Sequence, residues 1–198
     1  HCLKMVGDLE GKRGVMKDID LCLNFFGELE DMYGKLGGSN LDQAVRDRLL
    51  NVPMPKSRFE LGLCRYMTDR AQRIALASYE ESQCKPFSEL ARAHLARKSA
   101  VGEAEFERMS EFCSEPTNSP RAQQAFDQWL TLSLLALGRP GTHGDRRAVE
   151  MGLRSDHADH VVLEEAGHIH PVLLLGLGFG GGDAAARVLE RRRAEHGR

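Results

Sequence analysis

Apolar residues along this chain recur every three to four positions, and hardly any stretch alternates apolar with polar residues for long. The first pattern marks helices with one face turned to a core, and the second, which would mark strands, has little support. The periodicity predicts helices at about residues 2–12, 15–35, 41–50, 57–82, 86–113, 119–137, 144–153, 157–175 and 183–196. Gly37-Gly38-Ser39-Asn40, Pro53-Met54-Pro55, Glu115-Pro116-Thr117-Asn118 and Gly138-Arg139-Pro140-Gly141 punctuate them. Ser119-Pro120 reads as a helix start, because the hydroxyl can cap and proline suits the first turn.

Two of these helices organise the rest. Segment 57–82 carries Phe59, Leu61, Leu63, Cys64, Tyr66, Met67, Ile74 and Leu76 on nearly all sides, as expected of a helix at the centre of a bundle. Segment 86–113 has a narrower stripe of Phe87, Leu90, Ala91, Leu95, Val101, Met109 and Phe112, and the same stripe carries His94, Lys98 and Glu105. A short Pro-containing link between the two predicts antiparallel neighbours. The fold expected is all-α, one helical domain over residues 1–198, with 176–198 a flexible link and terminal helix. Helical character from the first residues predicts that the chain begins inside an element, with its N-terminal portion upstream.

With 198 residues, 41% of them hydrophobic, the chain can bury a core of its own. Lys and Arg total 27 against 29 Asp and Glu, a net charge of −2, which supplies no field to draw in nucleic acid or an anionic membrane. Five scattered cysteines without a C-x-x-C pair read as free thiols in a reducing cytoplasm. The longest apolar run, Val172 to Leu175, is too short to span a bilayer.

Polar groups on a buried stripe need partners, since an uncompensated buried charge is costly. Helical spacing makes Asp69 with Lys98, and Arg70 with Glu105, plausible pairs. The competing reading takes Arg65, Asp69 and Arg73 as a solvated charge ladder, with Lys98 snorkelling to the edge. Towards the C-terminus His160, Glu164 and His168 share one helix face at spacings of four, ligand types suited to zinc or iron, although a surface histidine cluster explains them as well. Glu165 and His168 form the chain's one E-x-x-H motif, where a di-iron bundle uses two. Gly176-Leu177-Gly178-Phe179-Gly180-Gly181 fits the dinucleotide-binding spacing but leaves only the residues to Arg198 for the rest of that motif, so it reads as a helix stop and link. No G-x-S-x-G elbow is present.

The run from Asp69 to Met109, with Leu135-Ala136-Leu137-Gly138-Arg139-Pro140-Gly141-Thr142 and Arg147-Ala148-Val149-Glu150-Met151-Gly152-Leu153, resembles the ring-epoxidising oxygenase subunits that act on phenylacetyl-CoA and benzoyl-CoA, in the phenylacetate-catabolism branch of the ferritin-like di-iron proteins. The resemblance covers most of residues 2–175 and implies a ferritin-like bundle whose two E-x-x-H motifs and further carboxylates would hold two irons. The run Met5 to Lys12 resembles the first motif, with Leu9 at the glutamate position and Lys12 at the histidine. Asp69 matches a retained carboxylate. The second motif falls at Lys98 and Val101. Shifting its register to Gly102 and Glu105 still supplies no histidine. A lysine would repel a bound cation and leucine and valine offer no donor atom, so the resemblance implies a metal-free paralogue without a cofactor, in which Asp69 and lysine ammonium groups replace the metal centre; helical spacing adds a polar core cluster of Arg70, His94 and Glu105. Such a subunit would act as a scaffold, pairing with an oxygenase subunit or with itself, or would bind an acyl-CoA. An active di-iron epoxidase subunit and a small-ligand-binding bundle stand as the alternatives.

Overall fold

The computed structural model describes residues 2–46, 53–98, 103–136 and 142–155, and every regular element among them is helical. In chain order these are α1 (Cys2–Met5), α2 (Leu9–Lys35), α3 (Leu41–Arg46), α4 (Arg58–Tyr79), α5 (Lys85–Arg97), α6 (Glu103–Ser114), a 3-10 turn (Pro116–Asn118), α7 (Ser119–Ala136) and α8 (His143–Glu150). No strand occurs among the described residues. The helices expected over 157–175 and 183–196 lie outside them, as does the C-terminal link.

Local chemistry sets most of the helix ends. Asp8 caps α2 by accepting a 2.6 Å hydrogen bond from the Gly11 amide, which separates α1 from α2 at residues 6–8 instead of the expected break between 12 and 15. At the other end of α2 the chain turns through Gly37, whose φ of +89° favours glycine. Ser57 accepts from the Glu60 amide at 3.1 Å to start α4, and Glu60 reaches back to the Lys56 amide at 2.8 Å. Thr142 caps α8 in the same way, accepting from the Asp145 amide.

The expected single helix over 86–113 is two. Helix α5 stops at Arg97, Lys98 is extended with φ −75° and ψ 120°, and helix resumes at Glu103. Both halves still run antiparallel to α4. Phe87 meets Tyr79 at the far end, Lys98 meets Asp69 near the middle, and Phe112 stacks on Phe59 at the near end with ring centroids 4.5 Å apart.

Helix α4 is the hub, as its all-round apolar pattern predicts. Its Phe59, Leu63 and Met67 close the main core with Met109 and Cys113 of α6 and Ala122, Ala125, Phe126, Trp129 and Leu130 of α7. Burying one such large apolar side chain contributes about 1.5–3 kcal/mol. A smaller core of Val6, Val15 and Leu61 seats the start of α2 on another side of α4. The chain leaving α8 is fastened to the α4–α5 turn: the Gly152 carbonyl accepts from the Gln83 amide at 2.7 Å, and the Ser155 amide donates to the Ser78 carbonyl at 3.1 Å.

Candidate functional site

The polar residues of the central stripe form two separate ion clusters along α4. In the first, Lys98 Nζ lies 2.9 Å from Asp69 Oδ1 and donates to Gln72 Oε1 at 2.7 Å. Asp69 Oδ2 accepts from Arg73 Nε at 2.8 Å, and the Arg73 guanidinium also donates to the Lys98 carbonyl at 3.1 Å. The Lys98 side chain is only 7% exposed and Asp69 14%, so the pair is held inside the bundle. Arg73 thereby satisfies a carbonyl at the C-terminal end of α5, where a cation is favoured by the helix dipole. The expected Lys98–Asp69 pair is present, and the Asp69–Arg73 step of the competing ladder is present with it.

The second cluster surrounds Glu105. Arg58 grips its carboxylate with two bonds of 2.5 and 2.6 Å, Arg108 approaches to 3.4 Å and Arg65 to 3.9 Å. Arg65 also donates two bonds to Asp18 of α2, at 2.9 and 2.7 Å. The carboxylate sits directly over Gly62, where a Cβ would run into Oε1. The expected Arg70–Glu105 pair is replaced by this one because the antiparallel register brings Glu105 to the first turns of α4, beside Arg58 and Gly62, and leaves Arg70 further along. Bonding to Glu105 raises the Arg58 pKa above its ordinary value.

His94 is buried between α5 and α2, stacked on Phe25 with ring centroids 4.0 Å apart and planes 22° from parallel. Its Nδ1 has no hydrogen-bond partner among the described residues. Burial first, then Lys98 and Arg97, push its pKa below the ordinary histidine value, while Glu28 pulls the other way. One turn on, Arg97 grips Glu28 with bonds of 2.8 and 2.6 Å and ties the same two helices at the surface. Burial lifts the thiols of Cys64 and Cys113 to about 11, so neither is a thiolate at neutral pH.

The residues at the expected metal positions are not gathered. Leu9 is 65% exposed and Lys12 is exposed, both in the first turn of α2, at the level of α4 where Val6 and Val15 meet Leu61. Asp69 and Lys98 lie about two turns further along α4. The polar residues Arg70, His94 and Glu105 likewise do not form one cluster: Glu105 sits over Gly62 while His94 faces Phe25. Val101 and the group His160, Glu164 and His168 lie outside the described residues. Among the described residues, no three His, Cys, Asp or Glu side chains converge as a metal site would require.

A di-iron pair does not fit the donors described around Asp69. The one carboxylate at the expected position, Asp69, has a cation against each oxygen, and a lysine ammonium beside it would repel a metal ion. Of the arginines central to the second cluster, Arg58 has no distinguishing signal in the sequence, and Arg65 enters there only as a step of the solvated charge ladder, whereas it bonds Asp18 and approaches Glu105. The end of α5 at Arg97 does have a sequence signal, in the Ser99 and Gly102 that soon follow it along the chain.

No protein-family model, no curated protein and no solved structure matches the chain. No helix among the described residues is long and apolar enough to cross a membrane.

Proposed function

We propose that this chain is a metal-free helical subunit, a divergent paralogue of ring-epoxidising acyl-CoA oxygenase subunits with a ferritin-like bundle, serving as a scaffold or ligand-binding component in place of catalysis. The observation that carries this reading is the ion pair at Asp69: Lys98 stands against one carboxylate oxygen and Arg73 against the other, so two cations already neutralise the group that a metal would have to use. A cluster of this kind fixes the relation of α4 to α5 and supplies no electrophile, redox centre or activated nucleophile. Metal analysis of protein purified without a histidine tag, after anaerobic incubation with ferrous iron and gel filtration, tests it. Far less than one iron per chain is expected, and about two per chain would return the oxygenase reading.

One observation favours a ligand-binding form. Trp129 Nε1 and Ser133 Oγ, four residues apart on the buried face of α7, have no hydrogen-bond partner among the described residues. Buried donors of this kind are costly unless some acceptor meets them. Trp129 is the chain's one tryptophan, so its fluorescence reports on that spot directly. Titration with phenylacetyl-CoA should give a saturable change that is lost in Ser133→Ala, whereas a flat titration leaves the scaffold form.

A further inference from the structure

Helix α2 is fastened unevenly. Its first half is anchored by Val15, the one buried residue of the helix, against Leu61, and by the two bonds from Arg65 to Asp18. Beyond Asp18 none of its residues is buried, and the side-chain contacts that tie it to α5 are Phe25 stacked on His94 and Glu28 held by Arg97. In the second contact both side chains are about two-fifths exposed, and an exposed ion pair holds little. The stack is therefore the main hold on the second half of the helix.

The same stack closes off a titratable group. His94 is only 2% exposed, and its Nδ1 has no hydrogen-bond partner among the described residues. A neutral ring forgoes at most one hydrogen bond at that atom. An imidazolium carries an N–H on both nitrogens, and the one on Nδ1 would be buried without an acceptor. The surrounding charges do not compensate. On α5 its neighbours Arg97 and Lys98 are both cations; from α2 the facing charge is Glu28, already gripped by Arg97; from α4 the charged side chains at its level are Asp69 and Arg73, closed on each other and on Lys98. Burial, then Lys98 and Arg97, accordingly disfavour the charged ring, with Glu28 opposing them.

We propose that the second half of α2 is a proton-released strap: the Phe25–His94 stack holds it on α5, and uptake of a proton by the imidazole frees it beyond the Asp18–Arg65 bonds while the α4–α6–α7 core stays in place. Release gives the imidazolium water on the side that Phe25 covers. Linkage fixes the sign and the ceiling. A solvated imidazole titrates near about 6.5 and the stacked one lower, so opening is flat above that pH and grows as pH falls from there to the stacked value, by at most about tenfold per pH unit for one proton. Glu28 is held below its ordinary carboxylate value by Arg97, so it stays ionised above about pH 5 and does not mimic the effect.

Amide hydrogen exchange of the full chain, read by mass spectrometry from about pH 7.5 to about pH 5 and corrected for the pH dependence of the exchange chemistry itself, tests the strap. A freed stretch of about a dozen residues without a packed face is a marginal helix, so its amides exchange on release. Residues 24–33 are expected to open at least about a hundredfold more often than residues 124–132 of α7, and more often than residues 13–18 of the anchored half. Their opening should rise at least about threefold between about pH 7 and about pH 5. His94→Phe keeps a ring on Phe25 with no proton to gain and should abolish that rise. Phe25→Ala should raise the opening of residues 24–33 at least about tenfold already at about pH 7.5. Phe25 lies outside both cores, so this variant and the wild-type profile decide the question if His94→Phe fails to fold. Equal opening of residues 24–33 and α7 overturns the proposal, since α2 would then leave only in global unfolding. So does a flat pH profile, a rise that survives His94→Phe, or an opening indifferent to Phe25→Ala.

Discussion

Removing Lys98 is the most demanding perturbation, because the ammonium is nearly buried and neutralises a carboxylate that is itself mostly inside the bundle. Breaking one side of a fully buried pair costs about 3–5 kcal/mol, whereas an exposed pair is worth about 0–1 kcal/mol. Lys98→Met keeps most of the side-chain volume, and Asp69 retains Arg73 at 2.8 Å, so the expected loss is about 2–3 kcal/mol. Asp69→Asn leaves the Lys98 ammonium facing only neutral oxygens, that of Gln72 at 2.7 Å and that of the new amide, and should cost about 3 kcal/mol. The double variant removes both charges and should cost less than the sum, with a coupling of about 1.5–2 kcal/mol. Urea unfolding reads these values: with a slope of about 2 kcal/mol per molar, a loss of about 3 kcal/mol lowers the midpoint by about 1.5 M. Single losses under about 1 kcal/mol with negligible coupling would refute the reasoning and return Lys98 to a solvated role.

Other consequences are independent of that pair. Because burial lowers the folded-state pKa of His94, stability should be fully present above the ordinary histidine value of about 6.5 and fall as pH drops from there through the folded value, since the unfolded chain takes up the proton first. His94→Phe, which keeps a ring on Phe25, should flatten that part of the urea-midpoint profile, and an unchanged profile would acquit the histidine. Gly62→Ala should destabilise by about 1–3 kcal/mol, although alanine ordinarily favours a helix, because the added methyl meets the Glu105 carboxylate that Arg58 holds in place. A neutral or stabilising result in thermal unfolding would show that Glu105 can move aside. Thiol titration with a disulfide reagent should label exposed Cys22 rapidly while Cys64 and Cys113, lifted to about 11, react only as the chain unfolds.

The helical architecture was legible in the sequence because apolar periodicity, the feature that decides it, is local. The all-round pattern of residues 57–82 identified α4 as the hub, and the inward stripe of His94, Lys98 and Glu105 placed three polar groups that are indeed buried or nearly so. Partner choice was less legible, since it depends on the register between helices. Lys98 found Asp69, but Glu105 found Arg58, eleven residues from Asp69 along α4, because α5 and α6 run antiparallel to α4. The break after Arg97 was missed for a related reason: a continuous apolar stripe outweighed Ser99 and Gly102, although Arg73 bonding to the Lys98 carbonyl provides the end of α5 with the partner a terminating helix needs. The positions at Leu9 and Lys12 were read by likeness of sequence, and the fold sets them at the exposed start of α2, away from Asp69.

In the proposed reading a lysine ammonium, and not a metal, neutralises Asp69. Diffraction from crystals grown after anaerobic incubation with ferrous iron, with data collected above and below the iron absorption edge, tests it at the atoms concerned. The expected result is no anomalous peak within ligand distance of Asp69, with Lys98 Nζ within hydrogen-bonding distance of its carboxylate. Two anomalous peaks there, with Lys98 displaced, would contradict it.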